Sequence, residues 1–591
     1  MNSTRLKYEG WLYELAFLIA LAFRLIQLGA SPLNDSEAAL AMQALQIARG
    51  APPLLGPQPA YILLTSLLFS VIESTNFIAR SLPAIAGSAL VFAPFLFREK
   101  LKPRPALVLA FLFAIDPGLV ALSRLAGGTI LAITFTLFAW GMWAHRRPIP
   151  AGIFAGLALL SGNSIWMGLV AFGLVWLFVQ GLGTRQSASQ SEDSTSSISE
   201  GPESSGAAEA SQDSNTSYPV RHALLAMIAT LVLVGTLFFL VPNGLSAWAS
   251  SLPAYLSGWV AASVMTPART AFTLLVYEPL GLFFAILSLI RGFRTGSQRI
   301  IRLSIWLGVS LLLAIFYRQP GELAWVILPL LALASLEISH SLNISRSDRL
   351  EVGVVATVLL ILLAYIWFDI AAIGLDPFSQ FVATLPGFGS IQNPRYVILY
   401  GALGILVLCI LFVAFGWSSR IARLGAEWAF LISLTVYSLG AAWDSSGVRN
   451  RNAVELWTPD QKPAQADLLL ASVKDVSEMS LGHDQSQPVA IVGVDSAALE
   501  WLLRDHFAEQ VSALDPQSTP PIIITPPMDN LSLPAAYRGQ DFTWRQRVQY
   551  ESMQRPEWWR WLVNRQLPRE NETIILWARD DLFPDARQNP Q

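Results

Sequence analysis

Two carboxylates stand close together in SPLNDSEAALAMQALQIARG, the segment of residues 31–50 that follows the first long apolar run. They are Asp35 and Glu37. A carboxylate can take a proton from a hydroxyl group, so either residue is a candidate catalytic base. The same residues also suit the start of a helix, because Asn34 can cap it, Glu37 can complete a capping box, and Asp35 interacts favourably with the helix dipole. The residues alone leave both interpretations open.

The composition identifies the class of protein that carries these acids. Of the 591 residues, 53% are hydrophobic and only 14% are charged, against roughly a quarter in typical soluble domains. Several apolar runs reach the length of about 20 residues that a bilayer requires. The sequence therefore predicts a polytopic α-helical membrane protein. A net charge of −3 gives no reason to expect a nucleic-acid partner.

Apolar length, together with the bias of Lys and Arg towards cytoplasmic loops, predicts about 13 transmembrane helices. The predicted spans cover residues 11–29, 76–97, 105–122, 127–144, 149–163, 165–181, 222–241, 271–290, 302–317, 322–338, 351–371, 396–416 and 425–443. Clustered basic residues then fall on one side and mostly single arginines on the other. This pattern predicts a multi-pass protein of the cell membrane with a cytoplasmic N-terminus and an extracytoplasmic C-terminal region.

Two segments of the predicted transmembrane domain, residues 1–445, are not spans. The apolar run AYILLTSLLFSVI, residues 60–72, has a length typical of interfacial helices, so residues 30–75 are predicted to form a first outer loop with helices on the membrane surface. Residues 183–220 are rich in Ser, Glu and Gly, and such a composition cannot bury enough surface to fold. A disordered cytoplasmic loop is expected there.

Residues 446–591 have the composition of a soluble domain. PVAIVGVDS, PIIIT and ETIILWAR predict strands, and AALEWLLRDHF predicts an amphipathic helix. This alternation predicts a small extracytoplasmic α/β domain. The segment FTWRQRVQYESMQRPEWWRWLVNRQL interleaves Trp with Arg. It is interpreted either as a surface that faces saccharides or lipid head groups or as a helix packed against the membrane face.

Single arginines at predicted outer span ends could complete a site with the first-loop acids. They are Arg124 in ALSRLAGG, Arg269 in TPARTAF and Arg318 in FYRQPGELAW. An isolated arginine at a span end can simply extend to the interface, but several around one cavity would bind a lipid phosphate. A carboxylate base facing such arginines is the minimum needed for glycosyl transfer from a lipid-phosphate donor.

This chemistry requires no obligatory metal or other cofactor. The five histidines show no ligand-like spacing, and a histidine-based metal site is therefore not expected. The single cysteine, Cys409, excludes a disulfide within the chain.

Glu278 in LLVYEPLGLFFAI is a further candidate functional residue. A carboxylate inside or at the rim of a span is costly and is functional by default. Because Pro279 follows, Glu278 could instead mark a local helix break and bond to the backbone. A site-lining or structural role is preferred over direct catalysis.

Several of these segments resemble the GT-C class of membrane glycosyltransferases, which includes protein O-mannosyltransferases and bacterial aminoarabinose transferases of lipid A. The resemblance rests on PLNDSEAALAMQALQIARG, FIARSLPAIAGSALVFAPFLF and ALSRLAGGTILA. A closer resemblance, to the GT-C-like flippase-activity-associated proteins of archaeal N-glycosylation clusters, rests on LLVYEPLGLFFAI, FYRQPGELAWVILPLLAL, LEWLLRDHF and LWARDDL. It implies a GT-C-like fold and site-lining roles for Tyr277, Glu278, Glu322 and Trp325.

The sequence departs from the pattern of this group at several polar positions. Ser36 separates the two first-loop acids, and Leu323 and Ala324 stand between Glu322 and Trp325. Glycines 127 and 128 and the segment Ser161-Gly162-Asn163 replace charged residues that the group often carries. These departures favour the alternative that the chain is a weakened or inactive member.

The preferred functional prediction is a family-39-like hexosyltransferase of the inverting kind. It would use a polyprenyl-phosphate sugar as donor, a protein, lipid or glycan as acceptor, and Asp35 as general base beside Glu37. Membrane lipids are the other expected partners. Two alternatives remain open: a catalytically inactive GT-C-like scaffold, and an accessory protein for the transport of lipid-linked sugars.

Overall fold

The computed structural model of the protein describes most of the chain. The described residues are 8–51, 54–193, 217–261, 265–377, 382–385, 389–392, 394–447, 454–457, 462–483, 487–513, 518–528, 533, 535–548, 550 and 553–583. The predicted disordered segment 183–220 falls mainly on residues outside this set. Its described ends continue the neighbouring helices, to Asp193 and from Ser217.

Among the described residues, the membrane region contains the α-helices α1 to α20 in chain order. They are α1 Glu9–Leu25, α2 Asp35–Ala48, α3 Pro59–Val71, α4 Asn76–Ala89, α5 Ala93–Leu96, α6 Arg98–Leu101, α7 Pro103–Ile115, α8 Pro117–Ser123, α9 Thr129–Ala144, α10 Pro148–Leu160, α11 Ser164–Asp193, α12 Ser217–Gly235, α13 Gly244–Gly258, α14 Pro267–Tyr277, α15 Pro279–Thr295, α16 Gln298–Tyr317, α17 Ala324–Ser341, α18 Arg349–Leu375, α19 Arg395–Gly416 and α20 Ser419–Ser445. A short hairpin, β1 Val382–Leu385 and β2 Gly389–Gln392, lies between α18 and α19.

Each of the 13 predicted spans overlaps a helix, but helical length supports fewer crossings. Within the described residues, seven helices are long and apolar enough to cross a membrane, or up to nine if each bent helix pair is one span. Shorter apolar helices, including α9 and α10, account for other predicted spans. The chain is thus a multi-pass helical membrane protein, and the figure of 13 crossings and the orientation of its termini stay predictions.

Two spans are broken by an acid–proline pair. Helices α7 and α8 meet at Asp116-Pro117 with a bend of 56°, and α14 and α15 meet at Glu278-Pro279 with a bend of 92°. The two buried carboxyl groups share a hydrogen bond. The predicted helix break at Glu278 is therefore present, and its side chain bonds to Asp116 rather than to the backbone.

Arg24 satisfies the carbonyls that the first break leaves free. It is fully buried within α1 and donates to the carbonyl oxygens of Phe113 and Ala114 at 3.0 and 3.1 Å, and to Ser123 Oγ at 3.1 Å. Backbone groups inside a membrane protein need internal partners because no water is available. Arg24 thus stabilises the bent conformation of α7 and α8.

The C-terminal region forms a five-stranded sheet with strand order β4-β3-β5-β7-β6. Its elements are α21 Ala466–Leu481, β3 Val489–Val492, α22 Ala497–Leu502, β4 Ala508–Val511, β5 Ile522–Thr525, β6 Tyr537–Val548, α23 Arg555–Asn564 and β7 Arg569–Arg579. Strands β3, β4 and β5 are parallel, and β7 pairs antiparallel with both β5 and β6. The α/β pattern expected from the sequence is present, although the Trp- and Arg-rich segment is helix only in part: its residues 542–548 belong to strand β6 and residues 555–564 to α23.

Helices α2 and α3 share a hydrophobic core with this sheet. Buried residues of both helices, such as Leu45 and Ile62, belong to the same cluster as Ile522 and Trp544. Polar contacts also join the C-terminal region to the membrane part. Trp501 Nε1 donates to Asn76 Oδ1 at 2.8 Å, and a further hydrogen bond and an ion pair lie nearby. Helices α2 and α3 are therefore held between the membrane helices and the C-terminal sheet.

A buried ion pair fixes the start of α2 against α4. Arg80 donates through Nε and Nη2 to Glu37 Oε1 and Oε2 at 2.7 and 2.6 Å, and both side chains are 2% exposed. Glu37 also accepts from the amides of Asn34 and Ala126 at 3.1 and 2.9 Å. With the Asn34 side chain bonded to the Glu37 amide, the capping box predicted from the sequence is complete.

This pair predicts a specific pattern of stability. Arg80→Met should lower the free energy of unfolding by about 3–5 kcal/mol, because a buried carboxylate loses its counter-ion. Adding Glu37→Gln should recover part of that loss by removing the uncompensated charge. Thermal unfolding of the purified protein in detergent measures both effects. A single variant as stable as the wild type would contradict this role of the pair.

Candidate functional site

A pocket of about 180 Å³ lies where α1, α4, α8 and α20 meet the C-terminal region. We call it the cationic pocket. Its polar lining comprises Gln27, Ser31, Arg80, Arg124, Ser445, Ser446, Glu455, Lys462, Asp467, Gln546, Tyr550 and Arg569. Four of these side chains are cationic and two are acidic. The pocket therefore has the charge expected of a site for an anionic group.

Arg124, the first arginine predicted from the sequence, is half-buried at this pocket directly after α8. Its Nη1 donates to the carbonyl oxygens of Arg24 and Ile26, both at 2.9 Å, so the guanidinium closes the C-terminal end of α1. Burial lowers the pKa of Arg124 to about 10, which still leaves it charged at neutral pH.

Lys462 is a pocket residue that the sequence interpretation missed. It follows α20 along the chain and precedes α21, and no motif surrounds it in PDQKPAQAD. Burial, with the neighbouring charge of Arg80, lowers the pKa of Lys462 to about 8. The ammonium group is thus mostly charged at neutral pH, and its charge is sensitive to mildly alkaline conditions.

Arg569, also missed, enters the pocket from the start of β7. Its Nη1 donates to Gln546 Oε1 at 2.5 Å. Apart from Arg80, which is paired with Glu37, the cations of the pocket lining are Arg124, Lys462 and Arg569. They come together from three distant parts of the chain, and only their folded positions could reveal the set.

Arg269 lies beside the pocket rather than in its lining. Its guanidinium stacks over the ring of Tyr550, 3.7 Å from the ring centre, and Tyr550 itself lines the pocket. Within the described part of the chain, its Nε and Nη2 atoms have no hydrogen-bond partner. Arg318, by contrast, follows α16 and does not line this pocket.

Asp35 is engaged by the C-terminal region. Its Oδ2 accepts from Arg545 Nε and Nη2 at 2.9 and 2.6 Å, and its Oδ1 accepts from Ser496 Oγ at 2.6 Å and from the amide of Ala498 at 3.0 Å. The carboxylate thus caps α22 from outside as well as belonging to the first turn of α2. It is one-third exposed.

Glu37 is held more tightly still. Burial alone would raise the pKa of Glu37, but the charge and hydrogen bonds of Arg80 and the bond from the Ala126 amide bring it below its usual value. With both oxygens occupied and an ionised state at neutral pH, this carboxylate is suited to positioning the loop. A proton-transfer role for it remains a prediction.

Tyr277 connects the pocket to the membrane helices. Its buried hydroxyl group donates to Glu455 and accepts from the amide of Leu456 at 3.2 Å. Burial raises the pKa of Glu455, a pocket-lining carboxyl group. Tyr277 therefore lies directly behind the pocket wall, whereas Glu278 faces Asp116 in the break between α14 and α15.

Glu322 and Trp325 form a separate buried cluster around Ser164. Ser164 Oγ donates to Glu322 Oε2 at 2.9 Å, and Trp325 Nε1 donates to Ser164 Oγ at 3.1 Å. Neither residue lines the cationic pocket. These two residues instead join the start of α11 to the start of α17, and their predicted site-lining role stays a prediction.

An apolar groove of about 850 Å³ lies between α14, α18, α20 and α23. Trp558 and Trp559 of α23 line it, and Asp444, Tyr437 and Arg565 are at its polar end. Asp444 directly precedes Ser445, which lines the cationic pocket. Consecutive residues at the end of α20 thus line the two cavities.

The described residues include no cluster of three or more His, Cys, Asp or Glu side chains that could hold a metal ion.

Comparison with known proteins supports the fold. No family model matches the sequence, and no curated protein matches it. The structure is similar to ArnT from Cupriavidus metallidurans bound to undecaprenyl phosphate, with a TM-score of 0.51, 15% identity, and coverage of 99% of this chain and 100% of that chain. The apo form of the same protein gives a TM-score of 0.50 at 14% identity, with 98% and 99% coverage.

A weaker similarity, with a TM-score of 0.43 and 12% identity, links 86% of the chain to 65% of the Archaeoglobus fulgidus oligosaccharyltransferase. The stronger matches support the GT-C resemblance but not the narrower one to flippase-activity-associated proteins, which stays a prediction. The chain has a GT-C-like membrane fold.

Proposed function

We propose that the protein is a glycosyltransferase that takes a sugar from a polyprenyl-phosphate-linked donor and transfers it at the outer face of the membrane. The observation that carries this proposal is that consecutive residues at the end of α20, Asp444 and Ser445, line the apolar groove and the cationic pocket respectively. A lipid phosphate needs both a cationic site for its head and an apolar path for its chain. The similar ArnT structure is described as bound to undecaprenyl phosphate.

The phosphate would lie against Arg124, Lys462 and Arg569. These cations would neutralise the negative charge that develops on the departing phosphate, and fixed charges in a water-poor pocket stabilise such a transition state well. Arg269 adds a guanidinium beside Tyr550, and among the described residues two of its nitrogens have no hydrogen-bond partner. Arg318 does not line this pocket, so it would contact only a part of the donor that lies outside the pocket.

The isoprenoid chain would lie in the apolar groove. Leu360, Leu363 and Ile366 of α18 and Trp558 of α23 line its walls. Burial of apolar surface against such a wall contributes about 25 cal/mol per Å². Because α23 belongs to the C-terminal region, both domains would be required for donor binding.

Transfer would proceed by inverting displacement. The acceptor hydroxyl loses its proton to a carboxylate, its oxygen bonds to the anomeric carbon, and the bond from that carbon to the phosphate oxygen breaks. Asp35 is the base proposed from the sequence, and its action would require the Arg545 pair to open. Asp467, an exposed carboxylate in the pocket lining, is the alternative base.

A second candidate function, an inactive GT-C-like scaffold, is favoured by one observation. Both first-loop carboxylates are saturated by internal partners, Asp35 by Arg545 and Glu37 by Arg80. A scaffold would retain these pairs to fix the C-terminal region against the membrane helices. Loss of activity in a base variant discriminates between the two functions.

The pKa of Lys462 predicts how donor affinity depends on pH. Below about pH 8 the ammonium group is charged and attracts the phosphate, so affinity for undecaprenyl phosphate should fall as the pH rises through this value. Lys462→Arg should flatten the profile, because a guanidinium stays charged. Lys462→Met should weaken binding about tenfold at pH 7. Titration of the detergent-solubilised protein at several pH values measures these affinities.

Protein stability should change with pH in the opposite direction. The unfolded chain holds the Lys462 proton more tightly than the folded protein does, since burial lowers the pKa from 10.5 to about 8. The free energy of unfolding should therefore rise between these two pH values, as the cost of burying the charge disappears. An alkaline loss of donor affinity caused by unfolding would lower stability over the same range, and would contradict the assignment.

The choice of base predicts distinct results for two matched variants. If Asp35 is the base, Asp35→Asn should lower kcat about 10²–10⁴-fold while Asp467→Asn has a small effect; if Asp467 is the base, the order reverses. Transfer from radiolabelled polyprenyl-phosphate sugars by lipid-reconstituted protein measures the rates. Arg545→Gln serves as the control, because it breaks the Asp35 ion pair and leaves the carboxylate in place.

Full transfer by both variants would contradict a base role for either acid. No transfer by the wild type, together with intact undecaprenyl phosphate binding, would support the scaffold. A melting temperature for each variant in the same detergent separates loss of chemistry from loss of fold.

A further inference from the structure

A second basic pocket lies at the opposite end of the membrane helices. Its volume is about 700 Å³, and it is formed by the start of α7, the junction of α15 and α16, and the end of α17. Helix α7 begins here at Pro103 and continues through α8 to Arg124, so this pocket and the cationic pocket lie at the two ends of one broken span. The proposed transfer reaction makes no use of it.

The lining combines charge with apolar surface. Lys102, Arg104, Arg291 and Arg299 supply four cations, while Ile300 and Leu336 supply apolar walls. Glu337 pairs with Arg291 at 3.0 Å. In the part of the chain that the structure describes, no ion pair involves Lys102, Arg104 or Arg299, and their positive charge stays available to a ligand.

Two of the guanidinium groups are held in fixed positions. Arg104 Nη1 donates to Asn343 Oδ1 at 2.5 Å, and Arg291 is oriented by its ion pair with Glu337. Basic residues at cytoplasmic span ends are common and usually extend freely into water. Here the folded chain forms a concave surface on which two of the cations are pre-positioned.

The backbone at the pocket rim is strained. Lys102 has φ 77° and ψ 155°, a region that residues other than glycine rarely adopt. Strain of this kind persists where the surrounding structure enforces it, and it is concentrated at functional sites. At Lys102 it sets the direction of the chain into α7, beside the pocket.

We propose that this pocket binds the phosphodiester head group of an anionic membrane lipid. Helices α16 and α17, which meet at the pocket, are both long and apolar enough to cross the membrane, so the pocket lies at the depth of the lipid head groups. Basic pockets between transmembrane helices on the cytoplasmic side are suited to such head groups. The apolar walls would contact the upper part of the acyl chains.

The test uses the full chain in detergent, titrated with short-chain phosphatidylglycerol and followed by microscale thermophoresis. The double variant Arg104→Gln/Arg299→Gln should weaken binding about tenfold or more. Arg146→Gln/Arg147→Gln is the matched control: it removes the same charge after α9, outside the pocket, and should change affinity less than about twofold. Equal losses in the two variants would overturn the proposal in favour of a general effect of surface charge.

Two further probes address the identity of the ligand. Phosphatidylcholine, whose head group has no net charge, should bind far more weakly, and binding of equal strength would overturn the proposal. Inorganic phosphate should compete only at much higher concentration than the lipid. Competition at equal concentration would overturn it in favour of a soluble phosphate compound.

Lys102→Gly separates binding from folding. Glycine accepts the observed backbone angles, so the melting temperature should stay the same or rise, while the loss of one cation should weaken phosphatidylglycerol binding several-fold. Unchanged lipid affinity in this variant would contradict the assignment of Lys102 to the site.

Discussion

The buried pair of Glu37 and Arg80 is the constraint on which the rest of the site depends. It joins two segments that are 43 residues apart, and both charged side chains are almost fully buried. Arg80 also donates to the carbonyl oxygens of Ser31 and Pro32, so the turn that enters α2 is fixed as well. Breaking one partner of such a pair costs more than the pair itself contributes, because the other charge stays buried. The first outer loop thus has one defined position, and Asp35 is placed against the C-terminal region as a result.

Polar groups inside the membrane region are also paired within the protein. Each acid–proline break frees backbone groups that must find partners within the protein. Arg24 donates to carbonyl groups at the first break, and the Asp116–Glu278 hydrogen bond links the first break to the second. These contacts allow two helices to bend where a straight span would have kept their ends apart. The bends bring the ends of α8 and α14 towards the C-terminal region, where the cationic pocket and the apolar groove lie.

The C-terminal region supplies part of the lining of both cavities. Lys462 and Arg569 supply cations to the pocket, while α23 forms one wall of the groove. The contacts that hold this region in place include the shared core with α2 and α3, the Asp35–Arg545 ion pair and, named last, the Tyr277–Glu455 hydrogen bond. The last of these joins the back of the pocket to the second broken span. The proposed binding of a lipid phosphate would therefore be coupled to the relative position of the two regions.

The sequence by itself determined the elements whose signals are local. Apolar length predicted where membrane helices occur, the Asn34–Glu37 spacing predicted the capping box, and alternating patterns predicted β3, β5 and β7. It also identified Arg124 as a cation at a span end. The charge pairs could be identified only from the tertiary structure. Glu37 pairs with Arg80, and Asp35 pairs with Arg545, which is 510 residues away. Local spacing in the sequence does not predict either pair. The figure of 13 crossings stays a prediction, because an apolar run reports burial, and protein can bury a short helix as well as lipid can.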